Sequence, residues 1–297
     1  MTTDNTIEKD TPAKKKQIDL ESEGALTLTV NDLHFGYKTA EILKGINFEL
    51  IEPQLVSIIG PNGVGKSTFI QCLNKILKPN SGEIYYNEHS LDDISIKNLS
   101  KVLGYVPCAT STSFPITVID AVMLGRHPHA TFGSQKRDLE ICYGILDNMG
   151  ISEFAMRHLN ELSAGQLQKV MLAKGLAQDP KILLLDEPTA NLDIRHQMNV
   201  TRMLYNLAHD SGIIIVMICH DLNIAAKYSD KIFMMYGGDI YAAGHPNDVI
   251  TEDNIRTVYG VESKVIMDEG RPHVLIRGDV NDVKNDYTSE EQPKNNE

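Results

Sequence analysis

The segment Gly60-Pro-Asn-Gly-Val-Gly-Lys-Ser67 restricts the fold more than any other part of the chain. It fits GxxxxGK[ST], follows the apolar run at residues 55–59, and opens a stretch that reads as helix to about Leu77, where Pro79-Asn-Ser-Gly82 stops it. An apolar run without alternation belongs to a strand buried on both faces, which predicts a parallel sheet. The glycines let successive backbone N–H groups point inward, making a nest for phosphate oxygens at a helix N-terminus. Lys66 is then expected to reach the β- and γ-phosphates, and the Ser67 hydroxyl to ligate Mg²⁺. Gly60, Pro61, Asn62, Gly63, Val64, Gly65, Lys66, Ser67 and Thr68 are the candidate nucleoside-triphosphate site. Taken alone, the motif leaves the reaction open.

The remainder of the chain supports an α/β body. Leu26, Leu28 and Val30 alternate with polar residues, as do Ile46, Phe48 and Leu50, which predicts half-buried antiparallel strands. Residues 182–185 and 213–218 read as further buried strands, with a helical pattern between them to about Ser211. Residues 231–236 and 240–243 suggest a hairpin around Gly237-Gly-Asp239. Strands alternating with helices predict a largely parallel sheet covered on both faces. Residues 91–165 read as a helical insert, with Leu139, Cys142, Tyr143, Leu146 and Met149 at helical spacing behind a Ser134 cap. The folded body is expected over 25–278, with 244–278 extending its core. Residues 1–24 and 279–297, polar and rich in acids, are expected to be flexible tails. Lys14 to Lys16 could form a small basic patch, or simply solvate the first tail.

Composition excludes several classes. The net charge of −12 suits neither non-specific nucleic-acid binding, which needs Lys and Arg to displace counterions, nor the surface of an anionic membrane. The apolar runs fall well short of the roughly 20 residues of a spanning helix. The chain opens Met-Thr-Thr-Asp with no apolar signal stretch, and its four cysteines match no metal or disulfide spacing. A soluble cytosolic protein with reduced thiols is the expectation.

Two more segments bear on chemistry. Ile182-Leu-Leu-Leu-Asp-Glu-Pro188 delivers adjacent carboxylates at the end of a buried strand, where α/β sheets place ligands. Asp186 would hold Mg²⁺ through water and Glu187 would act as general base on an attacking water; an ordinary strand ending in solvated acids is the alternative this element leaves open. In Leu162-Ser-Ala-Gly-Gln166, Ser163 and Gln166 have capping-box spacing, so a helix is expected from there to about Gln178. Its N-terminal N–H groups could bind a second phosphate, which would imply a nucleotide shared between two chains.

This ordered set, with His220 after a buried strand, resembles the nucleotide-binding subunit of ATP-binding cassette (ABC) transporters over essentially the whole of residues 25–278. The resemblance implies a P-loop NTPase core with an antiparallel β subdomain and an inserted α-helical subdomain. It implies that Tyr37 stacks on adenine, and that Leu162, Ser163, Ala164, Gly165 and Gln166 form the signature facing the partner's ATP. It also implies that Asp193, in Ala190-Asn-Leu-Asp193, crosses a dimer interface, and that His220 contacts the γ-phosphate. Leu124-Gly-Arg-His-Pro-His129, Leu192-Asp-Ile-Arg-His-Gln197, His220-Asp-Leu-Asn-Ile-Ala225 and Val258-Tyr-Gly-Val261 look like the branch serving iron-siderophore, haem and cobalamin importers. Molybdate or tungstate and zinc or manganese importers share some of these segments.

The sequence departs from the family pattern in three places. Cys108 stands where the family has a coupling-loop glutamine, and a thiol cannot mimic the amide oxygen, so slower turnover with nucleotide binding intact is expected. Ala164 replaces a glycine of the signature, a change tolerable in a first helical turn. Leu167 and Lys169 replace arginines.

The resulting expectation is an ATPase that works as a homodimer with ATP and Mg²⁺. It would sit at the cytoplasmic face of the membrane on two copies of a separate permease, supplied by an extracytoplasmic solute-binding protein, without nucleic acid. A soluble ABC protein acting on ribosomes or nucleic acid, and a non-catalytic regulatory cassette, are the alternatives. Single-cassette length, acidity and an intact Lys66, Asp186, Glu187 and His220 argue against them.

Overall fold

The computed structural model describes residues 18–38, 40–108, 115–190 and 192–280. The strands β1 (Leu28–Tyr37) and β2 (Ala40–Leu50) pair antiparallel, Leu28 opposite Leu50 and Tyr37 opposite Ala40. Their alternating residues put Leu28, Val30, Ile46, Phe48 and Leu50 on one buried face. Next come β3 (Leu55–Ile59) and helix α1 (Lys66–Leu73), shorter than expected. The chain then returns to the first sheet through β4 (Ser81–Tyr86), antiparallel to β1, and β5 (His89–Ser90).

A one-turn α2 (Ile96–Leu99) leads to β6 (Leu103–Val106). After it come α3 (Val118–Met123), α4 (Gln135–Asn148) and α5 (Ala164–Leu176), then β7 (Ile182–Leu185), α6 (Ile194–Ser211) and β8 (Ile214–Ile218). Helix α7 (Leu222–Tyr228), the hairpin β9 (Lys231–Tyr236) and β10 (Asp239–Gly244), and helices α8 (Pro246–Val249) and α9 (Glu252–Tyr259) follow. A second hairpin, β11 (Val261–Asp268) and β12 (Arg271–Asp279), closes the described chain.

The central sheet runs β10-β9-β3-β8-β7-β6, with β10 antiparallel at one edge and the remaining pairs parallel. Both faces are covered, which is why β3, β7 and β8 are buried at every residue. Side chains alternate between two cores: Leu183, Leu185, Ile215 and Met217 join one with the helices α3 to α7. Ile182, Leu184, Ile214 and Val216 join the other, with α1 and the first sheet.

Because β3, β6, β7 and β8 are parallel, the loops after them emerge at one edge of the sheet. Those loops begin at Gly60, Pro107, Asp186 and Cys219. The fold thus gathers four segments, spread over more than half the chain, at the edge where α/β sheets bind ligands.

Two expected boundaries move. The helical insert does not begin at 91, because Leu91, Ile94 and Leu99 pack in the core beneath the first sheet and β6 is an edge strand of the central one. Three buried residues, one of them Gly104, and a half-buried Tyr105 give no alternation by which to recognise a strand. Residues 18–24, expected in a flexible tail, are docked. Leu20 is buried, and Lys181 Nζ donates to the carbonyls of Leu20, Glu21 and Gly24 at 3.1, 3.1 and 3.0 Å, as well as to that of Glu23. The anchor lies some 160 residues away, beyond the reach of local pattern. Lys14 to Lys16 and residues 281–297 lie outside the described residues. The four cysteines are free thiols, and burial alone raises that of Cys72 to about 12.

Candidate functional site

The phosphate loop starts where β3 ends and depends on glycine at defined places. Gly60 has φ +145°, and a Cβ there would lie 2.4 Å from the carbonyl oxygen of Met235 on β9. Gly65, at φ +104°, caps α1 without a side-chain acceptor, so the first amides of that helix have no side-chain partner. Lys66 is 6% exposed, and its Nζ donates to the Gly60 and Pro61 carbonyls at 2.8 and 2.9 Å, inside the loop. Burial lowers its pKa below the ordinary lysine value, while the Glu187 and Asp186 carboxylates partly oppose that shift. Asn62 and Gly63 are exposed, and Pro61, Val64, Ser67 and Thr68 are half-buried.

Ser67 Oγ donates to Asp186 Oδ1 at 2.9 Å, joining α1 to the end of β7. Asp186 is 8% exposed; burial raises its carboxyl pKa, and the Ser67 hydrogen bond works the other way. Neighbouring residues on a strand point opposite ways, so two adjacent carboxylates can serve one site only where the strand has ended. β7 ends at Leu185, and Glu187 takes φ +53°, a left-handed conformation uncommon for a residue with a side chain. The turn brings Glu187 Oε1 to 2.5 Å from His220 Nε2, at the mouth of β8. Backbone strain of this kind concentrates at functional sites.

Cys108, half-buried after β6, belongs to the same group. Burial, and then the Glu187 and Asp186 carboxylates, raise its thiol above the ordinary value. Lys66, Ser67, Asp186, Glu187, His220 and Cys108 are therefore brought together. Tyr37 is 53% exposed at the end of β1, its ring edge-on to Phe35 at 4.9 Å. The partner strand β2 brings Leu43 and Ile42 against the Cβ position of Gly65.

The signature residues form a second group. Ser163 Oγ accepts from the Gln166 amide at 3.3 Å, and Gln166 Oε1 accepts from the Ser163 amide at 2.9 Å. This is the expected capping box at the start of α5. Ser163 and Ala164 are exposed, and Leu162 packs on the core. Gly165 faces His196, whose ring would lie 3.0 Å from an added Cβ. Asp193 caps α6, accepting from the His196 amide and pairing with its imidazole, both at 2.8 Å. Among the described residues, no hydrogen bond or ion pair links this group to the phosphate-loop cluster. Lys169, where an arginine was expected, donates to the Met149 carbonyl at 3.1 Å, and Leu167 packs on the core.

Two contacts were not foreseen. The Tyr259 phenol, at the end of α9, lies beside the backbone of Gly60, and Tyr105 on β6 lies beside Gln71 of α1. Tyr259 lies in the Val258–Val261 segment that marked the importer branch, so the signal was present without its structural meaning. The donor set also fits Mg²⁺. Ser67 and Asp186 present hard oxygens side by side, and Mg²⁺ is ordinarily held by one or two such groups together with substrate phosphates.

The family model for ABC transporters matches residues 43–190. An uncharacterised ABC transporter ATP-binding protein of Methanocaldococcus jannaschii is 42% identical over 253 residues, spanning 85% of this chain and 99% of that protein. The petrobactin import ATP-binding protein of Bacillus anthracis is 34% identical over 255 residues, spanning 84% of this chain and 93% of that protein. A solved structure assigned to the metal-chelate type of ABC transporter, in an inward-facing conformation, matches with a TM-score of 0.75 at 25% identity. It covers 86% of this chain and 98% of that one.

Proposed function

The chain belongs to the ABC transporter ATP-binding family, and from that premise we propose that it is the ATP-hydrolysing motor of an importer for a metal chelate. The observation that carries the chemistry is the convergence of Lys66, Ser67, Asp186, Glu187 and His220 at one edge of the parallel sheet. Lys66 exchanges the loop carbonyls it now holds for β- and γ-phosphate oxygens. Ser67 and Asp186 would hold Mg²⁺, which when bound neutralises charge on the phosphate oxygens. Glu187 accepts a proton from water as the water oxygen bonds to the γ-phosphorus; the bond to the bridging oxygen breaks and ADP leaves. His220, paired with Glu187, would meet the departing γ-phosphate. Tyr37 offers an exposed ring for adenine.

Each chain carries the phosphate-loop cluster and a separate, exposed signature cluster. Two copies arranged head to tail would set each phosphate loop against the partner's Ser163–Gln166 and bring Asp193 to the interface. Water is then excluded and the site completed only in the dimer. No helix among the described residues is long and apolar enough to cross a membrane; the membrane passage is assigned here to a separate permease. A groove of about 490 Å³ near the Cys108 loop, lined by Ile76, Ile96, Leu99, Tyr105 and Leu124, favours a permease helix docking there at the cytoplasmic face. Ile76, Ile96 and Leu124 are exposed on it. An importer also calls for an extracytoplasmic solute-binding protein. The metal-chelate cargo rests on the import role named for the petrobactin relative and on the type named for the solved transporter.

The test is a pull-down from native membranes with Glu187→Gln, with and without ATP. That change leaves the nucleotide contacts in place while removing the base. Recovery of a multi-spanning membrane protein supports the reading; recovery of ribosomes or DNA, or of the free subunit in both conditions, overturns it.

A further inference from the structure

The loop that carries His220 is tied to the C-terminal hairpin by one side chain. Asn223 Nδ2 donates to the Val274 carbonyl at 3.2 Å, and the Val274 amide donates to Asn223 Oδ1 at 2.7 Å. A single carboxamide thus satisfies both backbone groups of a β12 residue, as a neighbouring strand would. Val274 is 5% exposed and part of the core, so the tie has a fixed end. Between the tie and the histidine the backbone is held as well. Asp221 Oδ1 accepts from the Asn223 and Ile224 amides at 2.8 and 2.9 Å, and Cys219 Sγ donates to the Asp221 carbonyl at 3.3 Å.

The same C-terminal unit touches the other half of the site. Tyr259, one residue before the turn into β11, lies beside the backbone of Gly60. A cavity of about 380 Å³ lies between these contacts, lined by His220, Asn223, Tyr259, Val261, Val274 and Ile276. With that space beside the imidazole, its orientation depends on how the backbone at 219–224 is held.

We infer that Asn223 is a positioning residue for His220, and that through it the hairpin β11–β12 sets the rate of the hydrolytic step, leaving nucleotide affinity to the phosphate loop. The inference rests on the ATPase reading above, with His220 meeting the γ-phosphate.

The experiment uses the full chain and compares Asn223→Ala with Val274→Ala, which thins the same contact but keeps both backbone hydrogen bonds. Asn223→Ala is expected to lower kcat about tenfold, the scale of a catalytic group displaced by a fraction of an ångström. KM and the Kd for a fluorescent ATP analogue should stay within about twofold, the pattern of an interaction made only in the transition state. Val274→Ala should lower the melting temperature and leave kcat unchanged. In a His220→Ala background, Asn223→Ala should add nothing further. The His220 imidazole resonance, assigned by its loss in His220→Ala, should shift in Asn223→Ala alone.

An unchanged kcat in Asn223→Ala, an equal loss in Val274→Ala, or an equal loss with and without His220 would each overturn the inference. If the wild-type chain hydrolyses ATP in a Glu187-dependent way and Asn223→Ala does not matter, only this inference falls. If hydrolysis is indifferent to Glu187→Gln, the ATPase reading falls and the inference with it.

Discussion

Replacing Arg126 by methionine removes the clamp between the helical insert and α5. Arg126 Nε donates to Asp138 Oδ1 at 2.9 Å and Nη1 to the Ala177 carbonyl at 2.8 Å; the two side chains are 11% and 6% exposed. Ser134 Oγ donates to the other Asp138 oxygen at 2.7 Å, so the helix-capping serine expected from the sequence serves this carboxylate instead. An exposed ion pair would contribute about 0–1 kcal/mol. Here the substitution strands a buried carboxylate, and about 3–5 kcal/mol of stability should be lost.

The pH dependence separates that account from lost packing. Asp138 is held below its ordinary value of 3.8, first by Ser134 and then by Arg126. Its contribution is therefore present above 3.8 and lost as pH falls through the lower folded value. The gap between wild type and Arg126→Met should be widest near neutrality and narrow in acid. Urea denaturation followed by circular dichroism is the assay, since the chain has no tryptophan. A loss under about 1 kcal/mol at neutral pH, the range of a solvated pair, would refute the buried-clamp reasoning. A gap that stays constant into acid would refute its electrostatic part.

Cys108→Gln should hydrolyse ATP faster than wild type at unchanged nucleotide affinity; equal rates would remove Cys108 as a cause of slow turnover. With burial and two carboxylates raising its thiol above 9.0, Cys108 should alkylate slowly at neutral pH and speed up only in base, and rapid neutral labelling would contradict that environment. Gly60→Ala should lose both melting temperature and ATP-analogue binding, because its Cβ would meet the Met235 carbonyl at 2.4 Å; wild-type values in either measurement would show that the loop can yield. Ser163→Ala should cost about 1 kcal/mol through the lost cap. It should also lower hydrolysis roughly a hundredfold, as when one transition-state donor is removed, with ATP binding by the single chain retained; a stability loss without the rate loss would leave Ser163 a cap only.

What the sequence made legible was local. Gly60–Ser67 and Ser163–Gln166 are self-contained, with glycines, a cap and its reciprocal glutamine at fixed spacing, and each folds as its own residues dictate. β3, β7 and β8 were readable because burial on both faces makes them uniformly apolar. The edge strand β6 was not, being only four residues long with a glycine among them. The left-handed turn at Glu187 was equally hidden, since no residue type there announces a positive φ. The docking of Leu20 and the tie from Asn223 to Val274 depend on partners 161 and 51 residues away. A cross-chain contact of that kind leaves no periodicity in either segment.

The Leu124–His129 segment shows how a family resemblance read from sequence can have a purely structural content. Read as sequence, it pointed to the kind of importer. In the fold its residues meet the C-terminal end of α5. Gly125 must lack a side chain because a Cβ would lie 2.2 Å from the Lys174 carbonyl. Arg126 donates to Ala177, and His129 Nε2 sits 2.7 Å from the Gln178 carbonyl. These side chains satisfy carbonyls that a helix end leaves without partners. The helix they hold begins at the Ser163 cap, so 13 residues of α5 place the anchor and the signature at opposite ends of one rod, roughly 20 Å long at 1.5 Å per residue. A rod fixed at its far end holds the exposed Ser163 cap at its other end in a set position. What the motif does in this fold is brace the C-terminal end of α5.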